Sequence, residues 1–198
     1  MKFFRLFVII PVLVSMVACN KGGTPVVKRT EADAARKAAR NPQDSTLIVT
    51  LEFVEGDSVG VVNVDTQREF TLSFADLKQN GENHGSLTQD NTLAVMADLK
   101  KKSISRYINL TEFLGLWLFS DESGNGVRFD DSGAASNIGA VNDITLRTWR
   151  VLNGRLLLSY VPSNGSDYKE KEEEATIVTL TSNQLVFTFR GNQYTCFK

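Results

Sequence analysis

The sequence predicts an all-β protein, in which a small five-stranded barrel precedes a small eight-stranded up-and-down barrel. Three observations carry this. From Thr46 onward, β-branched and aromatic residues recur with period two; Phe70, Leu72 and Phe74 alternate with Thr71 and Ser73. The apolar runs are short and bounded by Gly, Asn, Asp and Ser. Two-residue hairpin signals are explicit at Asn153-Gly154 and Gly191-Asn192.

The chain divides into four parts at this level: a leader over 1–18, a tether over 19–45, and barrels over 46–112 and 113–198. The leader opens with Lys2 and Arg5 and continues as the apolar run from Leu6 to Ala18. A basic start, a short apolar core and a small residue at the break are the signature of a secretory signal. The run is shorter than the roughly 20 apolar residues a bilayer span requires. Met16-Val17-Ala18-Cys19 resembles the lipobox of bacterial lipoproteins. That resemblance implies that Cys19 becomes the new N-terminus and carries acyl chains of the palmitate type. Three chains would exceed the two signals that stable anchoring needs. Cleavage after Ala18 without lipid is the alternative.

The tether begins with the flexible Lys21-Gly22-Gly23. Thr30-Glu31-Ala32-Asp33 resembles a helix-capping box, and the alanines that follow favour a short exposed helix ended by Asn41-Pro42. A plain linker is the competing reading. Acidic residues close behind the lipid cysteine resemble a surface-export signal in Bacteroidetes lipoproteins. The first acid here is Glu31, so a periplasm-facing position is expected over the cell surface.

Five strands are expected in the first barrel. Leu47 to Phe53 and Val59 to Val64 are joined by a turn at Gly56-Asp57, and Asp65-Thr66-Gln67 turns into Phe70 to Phe74. A polar loop spans Asp76 to Asn91. Thr92 to Ala97 and Ser103 to Leu110 complete the set. The segment from Gly85 to Val95 is similar to the approach to a strand in OB-like or SH3-like barrels.

Eight strands are expected after Thr111-Glu112-Phe113. They are Leu116 to Phe119, Gly126 to Asp130, Ala134 to Ile138 and Leu146 to Leu152, then Arg155 to Val161, Ala175 to Leu180, Gln184 to Arg190 and Gln193 to Phe197. Short turns between them describe a meander that can close on itself. Lys169 to Glu174 is a charge run, expected as a solvated strand edge or loop. Gly115-Leu116-Trp117, Val127 to Ser136, Leu146 to Leu156 and Leu185 to Gly191 together resemble the lipocalin-like domains of Bacteroidetes lipoproteins. The resemblance covers about 85 of the 198 residues. It implies a barrel that binds a small apolar ligand or a protein partner. It also implies a basic side chain stacked on Trp117, with Arg190 expected ahead of Lys198.

Composition narrows the function. Of 22 basic residues, Lys2 and Arg5 leave with the signal, so 20 face 23 acids, and no concentrated basic face suggests nucleic acid. Lipidation of Cys19 leaves Cys196 as the one thiol, too few for a disulfide or a cysteine metal site. The lone histidine, His84, sits among Gly and Asn and reads as a solvated side chain rather than a catalytic base. Asp121 to Gly126 begins like an EF-hand loop, but Ser132 stands where the bidentate glutamate belongs, so it reads as a hairpin turn. No catalytic, metal or cofactor site is expected. The candidate ligand contacts are Trp117, Phe129, Trp149, Tyr160, Phe187 and Phe189, which alternate on the strands of the second barrel. In a barrel of eight strands such side chains either fill the interior or line a small cavity. The expected protein is therefore a non-enzymatic envelope lipoprotein that binds a small apolar ligand or an envelope protein. Its alternative is a structural lipoprotein with a filled barrel.

Overall fold

The computed structural model describes residues 44–77, 82–121, 123–163 and 169–198. Cys19, the signal and most of the tether with its candidate helix lie outside the described residues. Two β-sheets follow one another along the chain, joined by a single helical turn.

The first sheet comprises β1 (Thr46–Glu55), β2 (Ser58–Asn63), β3 (Glu69–Ser73), β4 (Asn83–His84), β5 (Thr92–Asp98) and β6 (Ser103–Asn109). Strands β1, β2 and β3 form an antiparallel meander. The chain then lays β5 beside β1 and returns β6 between β5 and β3. That Greek-key path closes a five-stranded barrel of the OB-like kind. The closure is parallel, with Ser73 opposite Ser103 and the Ser73 amide donating to the Lys102 carbonyl at 2.7 Å. A bulge between Leu51 and Phe53 bends β1, so that its first half pairs with β5 and its second half with β2.

Strand β4 falls within the segment expected to be loop. It pairs in parallel with Tyr107 and Ile108 of β6, beyond the point where β3 leaves that edge. The backbone groups of β6 would otherwise go unpaired there, and two residues with no strand-like pattern of their own satisfy them.

Alternation along the strands decides what each barrel buries. Val49, Leu51, Val59, Val61, Leu72, Leu93, Val95, Ile104 and Tyr107 point into the first barrel. Their neighbours Ile48, Ala94 and Ile108 point the other way and join the core of the second barrel. The outer face of β1, β5 and β6 is thus the surface on which the second barrel sits.

The connector is α1 (Leu110–Phe113), capped by Asn109, whose side chain accepts from the Glu112 amide at 3.1 Å. The second sheet comprises β7 (Gly115–Phe119), β8 (Gly126–Phe129), β9 (Ala135–Ile138), β10 (Ile144–Leu152), β11 (Arg155–Pro162), β12 (Lys171–Leu180), β13 (Gln184–Phe189) and β14 (Asn192–Phe197). All neighbours are antiparallel, and β14 returns to pair with β7. This nearly closed, eight-stranded up-and-down barrel is of the lipocalin-like type.

The remaining seam, between β9 and β10, is stitched largely by one side chain. The Asn137 amide donates to the Ile144 carbonyl at 2.6 Å and accepts from the Leu146 amide at 3.0 Å. Further along, the Trp149 amide donates to the Gly133 carbonyl at 2.8 Å.

Two expectations shift in detail. Phe189 pairs with Asn192, so the last hairpin turns on Arg190-Gly191 rather than Gly191-Asn192. Arg190 takes φ 52° and Gly191 φ 77°, the positive pair that a type I′ turn demands. The charged residues Lys171–Glu174 belong to β12, where β11 pairs with them but β13 does not reach. They are the exposed flank of a strand whose later half is interior to the sheet.

Candidate functional site

The alternating turns give the second barrel two distinct ends. At one end lie α1 and the turns after β8, β10 and β12. At the other lie the turns after β7, β9, β11 and β13.

The first end is closed. Phe113 stacks on Phe129 at 4.5 Å between ring centres and meets the Trp149 ring edge-on at 5.1 Å. The indole of Trp117 donates to the Phe113 carbonyl at 2.7 Å, and that of Trp149 donates to the Asp130 carbonyl at 2.7 Å. Both buried N–H groups are satisfied inside an apolar cluster. This end rests against the first barrel. Ser45 donates to the Asn153 side chain at 3.0 Å, and the Gly154 amide donates to the Thr46 hydroxyl at 3.2 Å.

The expected basic partner of Trp117 is corrected here. Lys198, not Arg190, covers the indole, with its ammonium 4.4 Å from the ring centre, and donates to the Glu112 carbonyl at 2.5 Å. Arg190 lies at the opposite end, its guanidinium 4.8 Å from the Tyr160 ring. Strand β14 carries Arg190 the height of the barrel away from Trp117, whereas Lys198, just past the end of β14, returns beside β7.

The far half of the barrel holds a second aromatic cluster. Tyr194 stacks on Phe187 at 5.0 Å and touches Phe119 at 5.4 Å, while Tyr160 meets Phe189 edge-on at 5.5 Å. The Tyr160 hydroxyl donates to Glu173 of β12. Burial and this carboxylate push the phenol's pKa up.

All six aromatic candidates are therefore core. Trp117, Phe129 and Trp149 fill the closed end; Tyr160, Phe187 and Phe189 fill the far half. None is more than 6 % exposed. Cys196 is buried between these clusters as a free thiol, and desolvation pushes its pKa up to about 12.

Two concavities lie on the outside. One, about 230 Å³, is a cleft between the barrels. Its walls carry the ion pairs Glu82–Arg106 and Arg155–Glu174 over a floor of Ile108, Leu156 and Ile177. His84 also lines it, half-buried on β4 rather than solvated as expected. Burial holds its pKa below the ordinary value, against the opposing pull of Glu82.

The other, about 420 Å³, lies at the far end of the second barrel. The turn after β7 supplies Asp121 and Asn125, the loop after β9 supplies Ala140, Val141 and Asn142, and β14 supplies Gln193, Tyr194 and Thr195. Asn142 donates to the Tyr194 hydroxyl at 2.6 Å. Asp121 accepts from the Ser123 hydroxyl at 2.6 Å and amide at 3.1 Å, which holds its carboxyl below the usual range.

The sequence marks Asp121 to Gly126 only as a hairpin turn and gives Asn142 and Gln193 no signal as site residues. They come from two turns and the start of β14, and converge because an up-and-down barrel puts alternate turns at one end. Among the described residues, no group of three His, Cys, Asp or Glu is arranged to hold a metal.

No protein-family profile matches the chain, and no curated protein matches it. Among solved structures, a lipocalin-like protein from Bacteroides thetaiotaomicron is 20% identical, with a TM-score of 0.36. The match covers 43% of this chain and 94% of that one, a likeness too loose to carry residue roles across.

Proposed function

We propose that this is a non-enzymatic lipoprotein of the bacterial cell envelope, tethered through Cys19, which binds at its surface and uses the filled second barrel as a rigid support. The observation that carries this is the packing of the barrel interior. Phe129 and Trp149 pack on Phe113, Tyr160 on Phe189 and Phe187 on Tyr194, and these rings and Trp117 are each nearly inaccessible. Protein interiors packed in this way leave no room for a guest without displacing side chains.

The tether supports an orientation. Asp44 and Ser45 are bonded to Asn153 at the closed end. A chain anchored through Cys19 is therefore attached on the side of the closed end, which leaves the far mouth free to face the surrounding compartment. The late first acid, Glu31, favours the periplasm as that compartment.

Two measurements test this. Native mass spectrometry of the purified protein should find the bare polypeptide mass plus its acyl groups. An apolar metabolite co-purifying with the barrel would instead make it an interior carrier. Cys19→Ala should move the protein from the membrane to the soluble fraction; a variant that stays with the membrane would end the lipid-anchor reading.

A further inference from the structure

We propose that the concavity at the far mouth of the second barrel binds a neutral, polyhydroxylated ligand, of which a sugar residue is the typical case. This names the ligand class for the surface binding put forward above, and rests on that reading.

The volume, about 420 Å³, falls within the range of small-molecule pockets, roughly 300–1,000 Å³. The lining then decides the chemistry. Among the described residues, no lysine, arginine or histidine lines it. A phosphate or carboxylate would surrender its hydration there without meeting a cation, which is costly. A fatty chain fares no better, since the lining is predominantly polar and the exposed apolar wall is little more than the half-buried Phe119 ring.

What the site offers is carboxamides and one carboxylate. Asn142 and Gln193 each present a donor and an acceptor on one group. Neighbouring hydroxyls on a sugar need that pairing, because each hydroxyl donates once and accepts as well. Asp121, already oriented by its two bonds from Ser123, adds an acceptor for a hydroxyl hydrogen. Phe119 supplies an apolar surface for the C–H face of a ring.

The site is also fixed in advance. Asn142 and Asp143 are consecutive non-glycine residues with positive φ, 38° and 55°. They are the central pair of a type I′ turn, closed by the Ile144 amide donating to the Val141 carbonyl at 3.0 Å. Asn142 is bonded to the Tyr194 hydroxyl, and the Tyr194 ring is held between Phe119 and Phe187. A polar group already held in place loses less freedom when a ligand arrives.

The test is saturation-transfer-difference NMR on the purified full-length chain. The probes are glucose, galactose, mannose, N-acetylglucosamine and their disaccharides, with glucose 6-phosphate and laurate as contrasts. At least one neutral sugar should give saturable transfer. Gln193→Ala removes an exposed side chain and should melt as the parent does; Asn142→Gly keeps the left-handed backbone available but gives up the bond to the Tyr194 hydroxyl, so its binding is measured well below its own melting temperature. Each should weaken sugar binding about tenfold, the loss of one well-placed hydrogen bond. Failure of every neutral sugar to bind overturns the proposal. So does binding of only glucose 6-phosphate or laurate, or sugar binding unchanged in both variants. The surface-binding reading fails separately, through an apolar molecule found inside the barrel by native mass spectrometry.

Discussion

Lys198 does two things at once: its ammonium faces the Trp117 ring and donates to the Glu112 carbonyl of α1. Gly115 takes φ 124°, backbone that favours glycine, as the chain passes from α1 into β7. Trp117 is fully buried, so Trp117→Ala should cost roughly 3–5 kcal/mol in a denaturant melt. Lys198→Ala removes only the lid and should cost about 0.5–1 kcal/mol. A Trp117→Ala loss below about 1 kcal/mol would mean the indole does not close the barrel. His84 gives a pH dependence. Its folded-state pKa lies below the ordinary 6.5, so the unfolded chain binds more protons as pH falls. The corresponding stability is present above about pH 6.5 and is lost as pH drops toward the folded value. Melts at about pH 7.5 and 5.5 should therefore show a smaller acid loss in His84→Gln than in the parent; equal losses would remove His84 as the cause. The core role of Trp117 was legible from its place on an alternating strand. Its partner was not, because the choice between Arg190 and Lys198 depends on which end of the barrel each strand finishes.

At the level of elements, period-two alternation located the long strands well, and it located their turns to within a residue. The last hairpin illustrates the limit. Glycine and asparagine both suit positive φ, so Gly191-Asn192 looks like the better turn; the pairing of Phe189 with Asn192 instead forces Arg190 into the left-handed region. Cross-strand packing of Phe187 against Tyr194 outweighs local turn preference. Strand β4 was invisible for a related reason: its two residues are recruited by the unpaired edge of β6, not by a pattern of their own. Asn153-Gly154 met expectation, with φ 51° and 75°. Gly154 also packs against the first barrel, where an added Cβ would stand 3.0 Å from the Arg106 side chain. Gly154→Ala should therefore destabilise by more than the roughly 1 kcal/mol that lost turn flexibility alone accounts for. Because the Arg106 Cβ is itself one of the close atoms, the partner variant is Arg106→Gly: a double variant no less stable than Arg106→Gly alone would locate the excess at the joint, and additive losses would place it in the turn.

Across the whole molecule, the two barrels share one apolar cluster through Ala94, Ile108, Leu110 and Phe113. Full-length protein should accordingly melt in a single transition, seen alike by near- and far-ultraviolet circular dichroism. Residues 113–198 alone should melt at lower temperature, because the surface they rest on is gone; two well-separated transitions in the full chain would show the barrels to be energetically independent. The all-β class and the succession of a five-stranded and an eight-stranded barrel were readable from the sequence. The shared joint was not, since Ile48, Ala94 and Ile108 look like the ordinary outward residues of half-buried strands.

The pairing of β14 with β7 has a consequence in time. Residues 115–119 wait for this partner until residues 192–197 have been made, so the second barrel cannot close before β14 is available. Contacts of such long sequence separation form slowly, and the open intermediate exposes unpaired strand edges. A chain cut after Arg190 would carry every aromatic candidate and still lack the strand that bridges β13 and β7, so both of those edges would stand unpaired.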